Sequence, residues 1–369
     1  MKHGRNGMMR RNVLTGLAGA AATMASGSDL WGRTMKEWYV PAEDDPHERT
    51  FLQWPVDDQI YREAWFLEEV QQAIVTLANA IASFEPVVVL AAAEHHEKIR
   101  QQVGENVALW DIPTDDLWAR DSGPLFVVHD GGGLAVRHVN FNGWGGKQRH
   151  PNDGLVARRV AERMGLPLLD NGLVGEPGGV EQDGHGTLMA HESSWVNPNR
   201  NPGIRAAVEA QLLEAYGAQK MIWAPGLAGQ DITDFHIDAL ARFVAPGRVI
   251  IQMPGNTDMS DDWVRTAHQT RSILAEATDA KGRRLQITEI YDPERPRVRD
   301  PDFLASYVNY YVCNGAVIMA QFGDDDADSE AIRTIGQLYP DREVVTLNTD
   351  ALGWIGGGIH CATQQQPAV

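Results

Sequence analysis

The sequence predicts an α/β fold assembled from repeated βαβ-type modules, and two observations carry that reading. From about residue 36 onward, five segments with apolar residues at helical spacing alternate with short β-rich runs. Polar or small residues also stand just ahead of four of those runs, in RDSGPLFVV, QDGHGTLMA, HIDALARFV and CNGAVIMAQ, whose starts lie roughly 55 to 75 residues apart. About 65 residues per helix is the size of one βαβ-type unit. Five such units closed into a ring would bring every strand start to one central place. An ordinary open sheet flanked by helices explains the alternation equally well.

The chain begins with a segment that reads as targeting rather than fold. Residues 1–25 carry Lys2, Arg5 and the paired Arg10 and Arg11, no acid, and a short run of small and apolar residues. Ala20, Ala22 and Ala25 offer a small-residue cleavage site. The paired arginines point to twin-arginine export, which places the mature chain in the periplasm or outside the cell; the alternative is a cytoplasmic protein with an unstructured tail. The apolar run is too short to span a membrane. Residues 26–35 form a linker, and the body is expected over 36–369.

Helical spacing predicts helices over 62–84, 154–165, 203–217, 263–278 and 328–340. The β-rich runs between them include EPVVVLAAA, GPLFVVHD, LAVRHVNFN, GTLMAHESSWV, GRVIIQMP, AVIMAQF and REVVTLNT. A net charge of −18 makes nucleic acid and anionic membranes poor partners and favours a cationic small molecule. Two cysteines form no disulfide framework. Cys313, inside YYVCNGAVIMA, reads as core.

Cys361 does not. It follows three glycines in GGGIHCATQQQPAV, where the backbone is free to take unusual conformations and to come close to a ligand. The polar tail behind it is unusual company for a core thiol. Candidate partners come from other segments. In DFHIDALARFV, read as a strand, His236 and Asp238 share one face. In WARDSGP, Asp121 stands at the mouth of a strand, as a site residue or as a turn aspartate bonding its own backbone. EPGGVEQDGHGT places Glu176 and Asp183 around glycines, and FNGWGG offers the Trp144 ring face to a cation. His185, His191 and Glu192 raise a metal reading, although no tight ligand pair such as HExxH is present. A P-loop, GxGxxG and a serine elbow are all missing from the sequence.

These motifs, with VPAEDDPHERTFLQWP and ASYVNYYVCNGAVIMAQFGDDDAD, resemble in order the agmatine deiminase and bacterial-type peptidylarginine deiminase family, guanidino-group-modifying enzymes of the pentein fold. The resemblance covers about residues 36 to 367. It implies a five-bladed, pseudo-symmetric ββαβ propeller forming a single α/β domain. It departs from the family's usual pattern at Pro177 and Phe235, where glycines are common, and at Gly358, where asparagine is common.

The chemistry fits the residue types. Carboxylates grip a planar guanidinium through its N–H fork, a role that falls to Asp121 and Asp238. Cys361 as thiolate attacks the central carbon, and a nearby cation, His236 or the substrate itself, lowers the thiol pKa. His236 protonates the leaving nitrogen and later activates water. The resemblance implies that Glu176 orients His236, and it extends substrate binding to Trp118, Trp144, Asp183 and Gly357. No metal or organic cofactor is required. The expected reaction is agmatine and water to N-carbamoylputrescine and ammonia, in polyamine biosynthesis. Peptidyl-arginine conversion to citrulline is the alternative. A homodimer is expected by family likeness. Two other classes stay open: a metal-dependent guanidino hydrolase releasing urea, and a non-catalytic polyamine or guanidinium receptor.

Overall fold

The computed structural model describes residues 38–369, so the expected targeting segment 1–25 and linker 26–35 lie outside the described residues. Five long helices stand where helical spacing predicts them: α1 Ala64–Ala82, α2 Val156–Met164, α3 Arg205–Tyr216, α4 Asp262–Glu276 and α5 Asp325–Leu338. Helix α1 buries Val70, Ala73, Ile74, Leu77, Ala78 and Ile81, an i, i+3, i+4 stripe that faces the core. Helix α4 starts at Asp261, whose side chain accepts from the backbone N–H groups of Trp263 and Val264.

Among the described residues the strands form five separate sheets. One connectivity recurs in all five: an antiparallel pair, a long helix, then a strand parallel to the second of the pair. Leu125–His129 and Leu134–His138 lead through α2 to Leu168–Asp170. Val180–Gln182 and Thr187–His191 lead through α3 to Lys220–Ala224. Ala241–Ala245 and Arg248–Met253 lead through α4 to Gln286–Tyr291. Tyr311–Cys313 and Ala316–Ala320 lead through α5 to Glu343–Leu347. The fifth unit joins distant parts of the chain: Gln364–Pro367 pairs antiparallel with His47–Gln53, which leads through α1 to Val87–Ala91. The molecule is a mixed α/β domain, and none of the described sheets closes on itself. Strand Val87–Ala91 (VVVLA) is buried throughout, as a parallel strand covered on both faces must be.

One expectation needs correction. DFHIDALARFV is not one strand. Asp234 and Phe235 take left-handed backbone (φ 59° and 69°), a conformation strands do not accept, so the chain turns before His236. A short 3₁₀ turn, Ile237–Ala239, follows, and the strand starts at Ala241. The polar run after Cys361 forms a buried strand. Gln364, Gln365 and Gln366 are buried in the fifth sheet, and Gln365 Oε1 accepts from Arg120 Nη1 at 2.9 Å. Cys313 is buried in strand Tyr311–Cys313, as expected of a core residue.

The chemistry-bearing residues sit just ahead of the first strand of each unit: Asp121 before Leu125, Glu176 before Val180, His236 and Asp238 before Ala241, Asn309 before Tyr311, Cys361 before Gln364. Deleting residues 364–369 removes one strand of the fifth sheet and an acceptor of buried Arg120. The truncated protein is expected to melt at least about 10 °C lower in a circular-dichroism scan; an unchanged Tm would contradict a structural role for that strand.

Candidate active site

Cys361, His236, Asp121, Asp238, Trp118, Trp144 and Gly357 line one cavity of about 80 Å³. Cys361 Sγ lies 3.5 Å from Asp238 Oδ2 and accepts from Asn309 Nδ2 at 3.2 Å. Asn309 Oδ1 accepts in turn from the backbone N–H groups of His360 (3.0 Å) and Cys361 (3.3 Å), so one amide side chain fixes both the backbone and the sulfur of the nucleophile segment.

The glycine run makes room for this. A Cβ on Gly357 would stand 2.3 Å from the Trp118 ring, and one on Gly358 would stand 2.5 Å from Asn309 Oδ1. Contacts that short are forbidden, so a side chain at either position would displace a cavity wall or the asparagine that holds the sulfur.

His236 stands between two carboxylates, with Nδ1 3.7 Å from Asp121 Oδ1 and Nε2 3.2 Å from Glu176 Oε2. Glu176 lies behind the imidazole and does not line the cavity. It is held by Arg200, whose Nε reaches both carboxylate oxygens at 2.9 Å, and Arg200 Nη1 also donates to Asp234 Oδ2 at 2.7 Å. Trp144 Nε1 donates to Asp121 Oδ2 at 2.8 Å, so this indole positions a carboxylate as well as forming a wall.

Charge follows from this packing. Burial disfavours the charged imidazole of His236, but Asp121 and then Glu176 outweigh it and hold the pKa up at about 9. Asp121 is pushed up to about 6, because burial and the nearby Glu176 and Asp238 carboxylates outweigh the pull of His236. Asp238 sits below its ordinary value: burial works against its charge, and the hydrogen bond and charge of His360 prevail. Burial first, then Asp238 and Asp121, hold the Cys361 thiol well above its ordinary value. At neutral pH the site therefore contains a protonated imidazole, ionised carboxylates and a neutral thiol. Asp121 Oδ1 and Asp238 Oδ1 are both buried with no hydrogen-bond partner. Two negative oxygens beside a thiol, each lacking a donor, call for a cation with N–H groups.

Asp183 is not part of this site. Its carboxylate accepts from the backbone N–H groups of His185 and Thr187 (both 2.8 Å) and from Thr187 Oγ1 (2.6 Å), and it borders a different cavity. An aspartate ahead of a glycine closes its own turn, which explains the position without a substrate. The metal candidates are also taken up elsewhere. His191 Nδ1 bonds the Phe235 carbonyl at 2.9 Å, Glu192 pairs with Arg205, and His185 is exposed. Among the described residues, no group of three or more His, Cys, Asp or Glu is arranged to hold a metal. Sequence reasoning missed Asn309, Arg200, His360, and the outer wall formed by Asp231, Ile232, Leu304, Ile355 and Trp263.

Comparison with known proteins agrees with this geometry. The sequence model of the Porphyromonas-type peptidyl-arginine deiminase family matches residues 39–367. An agmatine deiminase of Medicago truncatula is 32% identical, the match covering 91% of this chain and 98% of that protein. One from Stutzerimonas stutzeri is 35% identical, covering 90% and 96%. The structure of the agmatine deiminase of Enterococcus faecalis superposes with a TM-score of 0.83 at 28% identity, covering 90% of this chain and 96% of the other. A match of this extent, over a cavity where a thiol, an imidazole and paired carboxylates meet, makes the chain a member of the Porphyromonas-type peptidyl-arginine deiminase family.

Proposed function

We propose that the protein hydrolyses the guanidino group of agmatine to a ureido group and ammonia. One observation carries the reading: Asp121 Oδ1 and Asp238 Oδ1, buried and unpartnered, line the cavity that holds the Cys361 thiol. A guanidinium held flat between them satisfies both oxygens and brings a full positive charge to the sulfur. That charge offsets the burial and carboxylates that keep the thiol protonated, so ionisation accompanies substrate binding. The thiol proton leaves to solvent, since His236 is already protonated. The thiolate attacks the central carbon, and His236 donates its proton to one nitrogen, which departs as ammonia. The amidino group stays on the sulfur. Neutral His236 then takes a proton from water as the water oxygen attacks, the C–S bond breaks, the adduct's remaining hydroxyl proton goes to solvent as the ureido product leaves, and the thiolate takes a proton back from solvent to restore the resting thiol. Glu176, clamped by Arg200, keeps the imidazole aligned through both steps.

The outer cavity favours an amine over an amino acid. Among the described residues no lysine or arginine lines it, so the α-carboxylate of arginine would lack a partner there. Ile232, Leu304, Ile355 and Trp263 give an apolar wall suited to a butyl chain. Half-buried Asp231 also lines the cavity. Its Oδ1 accepts from Thr233 Oγ1 (2.8 Å) and Phe235 N (3.0 Å), and Oδ2 has no hydrogen-bond partner among the described residues. In this reading Oδ2 takes the far ammonium.

The five repeated units are the blades of a pseudo-fivefold propeller in the same reading, supported by one functional residue ahead of each unit's first strand. A homodimer and twin-arginine export belong to it too. Export rests on Arg10 and Arg11 and is checked by fractionation: the full-length chain is expected in the periplasm and an R10K/R11K variant in the cytoplasm.

Purified protein is expected to release ammonia and ureido product from agmatine in preference to arginine and an arginyl peptide. Cys361→Ala should lose about 10³-fold or more in kcat, and Asp231→Asn should raise KM for agmatine about tenfold with kcat held within a few-fold. Turnover of the peptide ahead of agmatine would reassign the substrate. Without substrate, inactivation by iodoacetamide should quicken about tenfold per pH unit from pH 7 to 9, because the thiolate is the minor form throughout. A plateau near pH 7 would mean a preformed thiolate and would sink the substrate-assisted step.

A further inference from the structure

The residue immediately before the nucleophile joins two buried acids. His360 Nδ1 lies 2.7 Å from Asp238 Oδ2, and its Nε2 lies 2.8 Å from Glu43 Oε2. All three side chains are buried or nearly so. The mechanism above needs neither His360 nor Glu43, yet Glu43 is heavily braced. Arg242 Nη2 donates to its Oε2 at 2.8 Å, Arg120 Nη2 to the same oxygen at 3.3 Å, and Val312 N to its Oε1 at 3.0 Å. Arg242 is itself held by Glu181, whose Oε1 stands 2.9 Å from Nε. Glu43, Glu181, Arg120, Arg242 and His360 border a second cavity, whereas Asp238 borders the one that contains Cys361. The His360 ring is thus the link between an ionic cluster and a carboxylate that faces substrate.

We propose that His360, braced by Glu43, is a positioning residue for substrate binding: it takes up Asp238 Oδ2 so that Oδ1 stays turned toward the guanidinium. The inference rests on the guanidino reading of the site. Two physical arguments support it. A buried carboxylate can swing about its Cβ–Cγ bond unless one oxygen is tied, and the 2.7 Å bond from His360 is the shortest that Asp238 makes. His360 is also the strongest opponent of the burial that would otherwise raise the Asp238 pKa; His236 and Arg242 add smaller attractions. The groups facing Asp238 are therefore His360, His236, Arg242, the Asp121 and Glu181 carboxylates and the Cys361 thiol. Those facing His360 are Asp238, Glu43, Glu181 at 3.8 Å, and Arg120, whose Nε approaches the His360 carbonyl at 3.4 Å.

The sign follows directly. The Asp238 pKa is depressed, so its charge is lost as pH falls through that value. Without His360 the value rises, and the loss occurs at higher pH. Steady-state kinetics of the full-length enzyme with agmatine from pH 5 to 9 test this on His360→Ala, His360→Asn and Glu43→Gln. His360→Ala should raise KM about tenfold or more, lower kcat less, and move the acidic limb of kcat/KM, set in the wild type by Asp121 at about 6, upward by about one pH unit as burial carries the Asp238 value past that of Asp121. His360→Asn, whose amide can still donate to Asp238, should recover part of the KM loss. Glu43→Gln should raise KM in the same direction, about threefold. An acidic limb and KM unchanged in His360→Ala overturn the inference, as does a loss uniform in pH that His360→Asn fails to relieve. If His360→Ala does not fold by circular dichroism, Glu43→Gln decides, and an unchanged KM there overturns the inference alone. A wild type that turns over no guanidine sinks the underlying reading and this inference together.

Discussion

Negative charge without a matching cation governs this molecule. Asp121, Asp238 and Glu176 are buried within reach of one cavity, and among the described residues His236 is the single basic side chain that lines it. Buried carboxylates are tolerated when each has donors. Glu176 has Arg200 and Asp238 has His360, but one oxygen of Asp121 and one of Asp238 have no hydrogen-bond donor among the described residues. Burial and then these carboxylates keep the thiol protonated, Asp121 with Glu176 holds His236 in its acid form, and the unmet oxygens define the charge of whatever enters. The chemistry and the selectivity are two results of one electrostatic deficit.

The scaffold's part is to hold that deficit in place against its own repulsion. Each unit contributes residues just upstream of its first strand, where a loop tied to a sheet is stiff at one end. Cross-links between segments do the rest. Arg200 ties the Glu176 loop to Asp234, Arg120 N bonds the Cys361 carbonyl, and Asn309 reaches across to the nucleophile segment. Arg242 and Arg120 brace Glu43 behind the site. No single segment contains enough of the site to form it alone.

Much of this was legible in the sequence, for physical reasons that can be stated. The five helices follow from apolar spacing, and Cys361, His236, Glu176, Asp238 and Asp121 stood out because reactive groups ahead of apolar runs are poor core candidates. Several strands were not legible: Gln364–Pro367 is made of glutamines, which carry no apolar signal and are buried only because a partner strand and Arg120 receive them. Asn309 lies in YVNYYV, a plain β pattern, and its role exists only through contact with a segment some fifty residues on. Arg200 sits in a proline and asparagine loop that reads as a turn. Asp183 misled because a glycine-flanked aspartate looks alike in a binding loop and in a turn. The His236–Asp238 pair was right in membership and wrong in geometry, since left-handed backbone at Asp234 and Phe235 leaves no local signal in those residue types.

That left-handed pair has a further consequence. Phe235 holds a conformation that costs a bulky residue roughly 1–3 kcal/mol, and its ring, 4.7 Å from Trp263 and 4.5 Å from His191, forms part of the cavity wall. Glycine there would release the strain and erase that wall in the same stroke. Thermal robustness and ligand preference are thus coupled with opposite sign at one position, and selection for either property alone would drag the other with it.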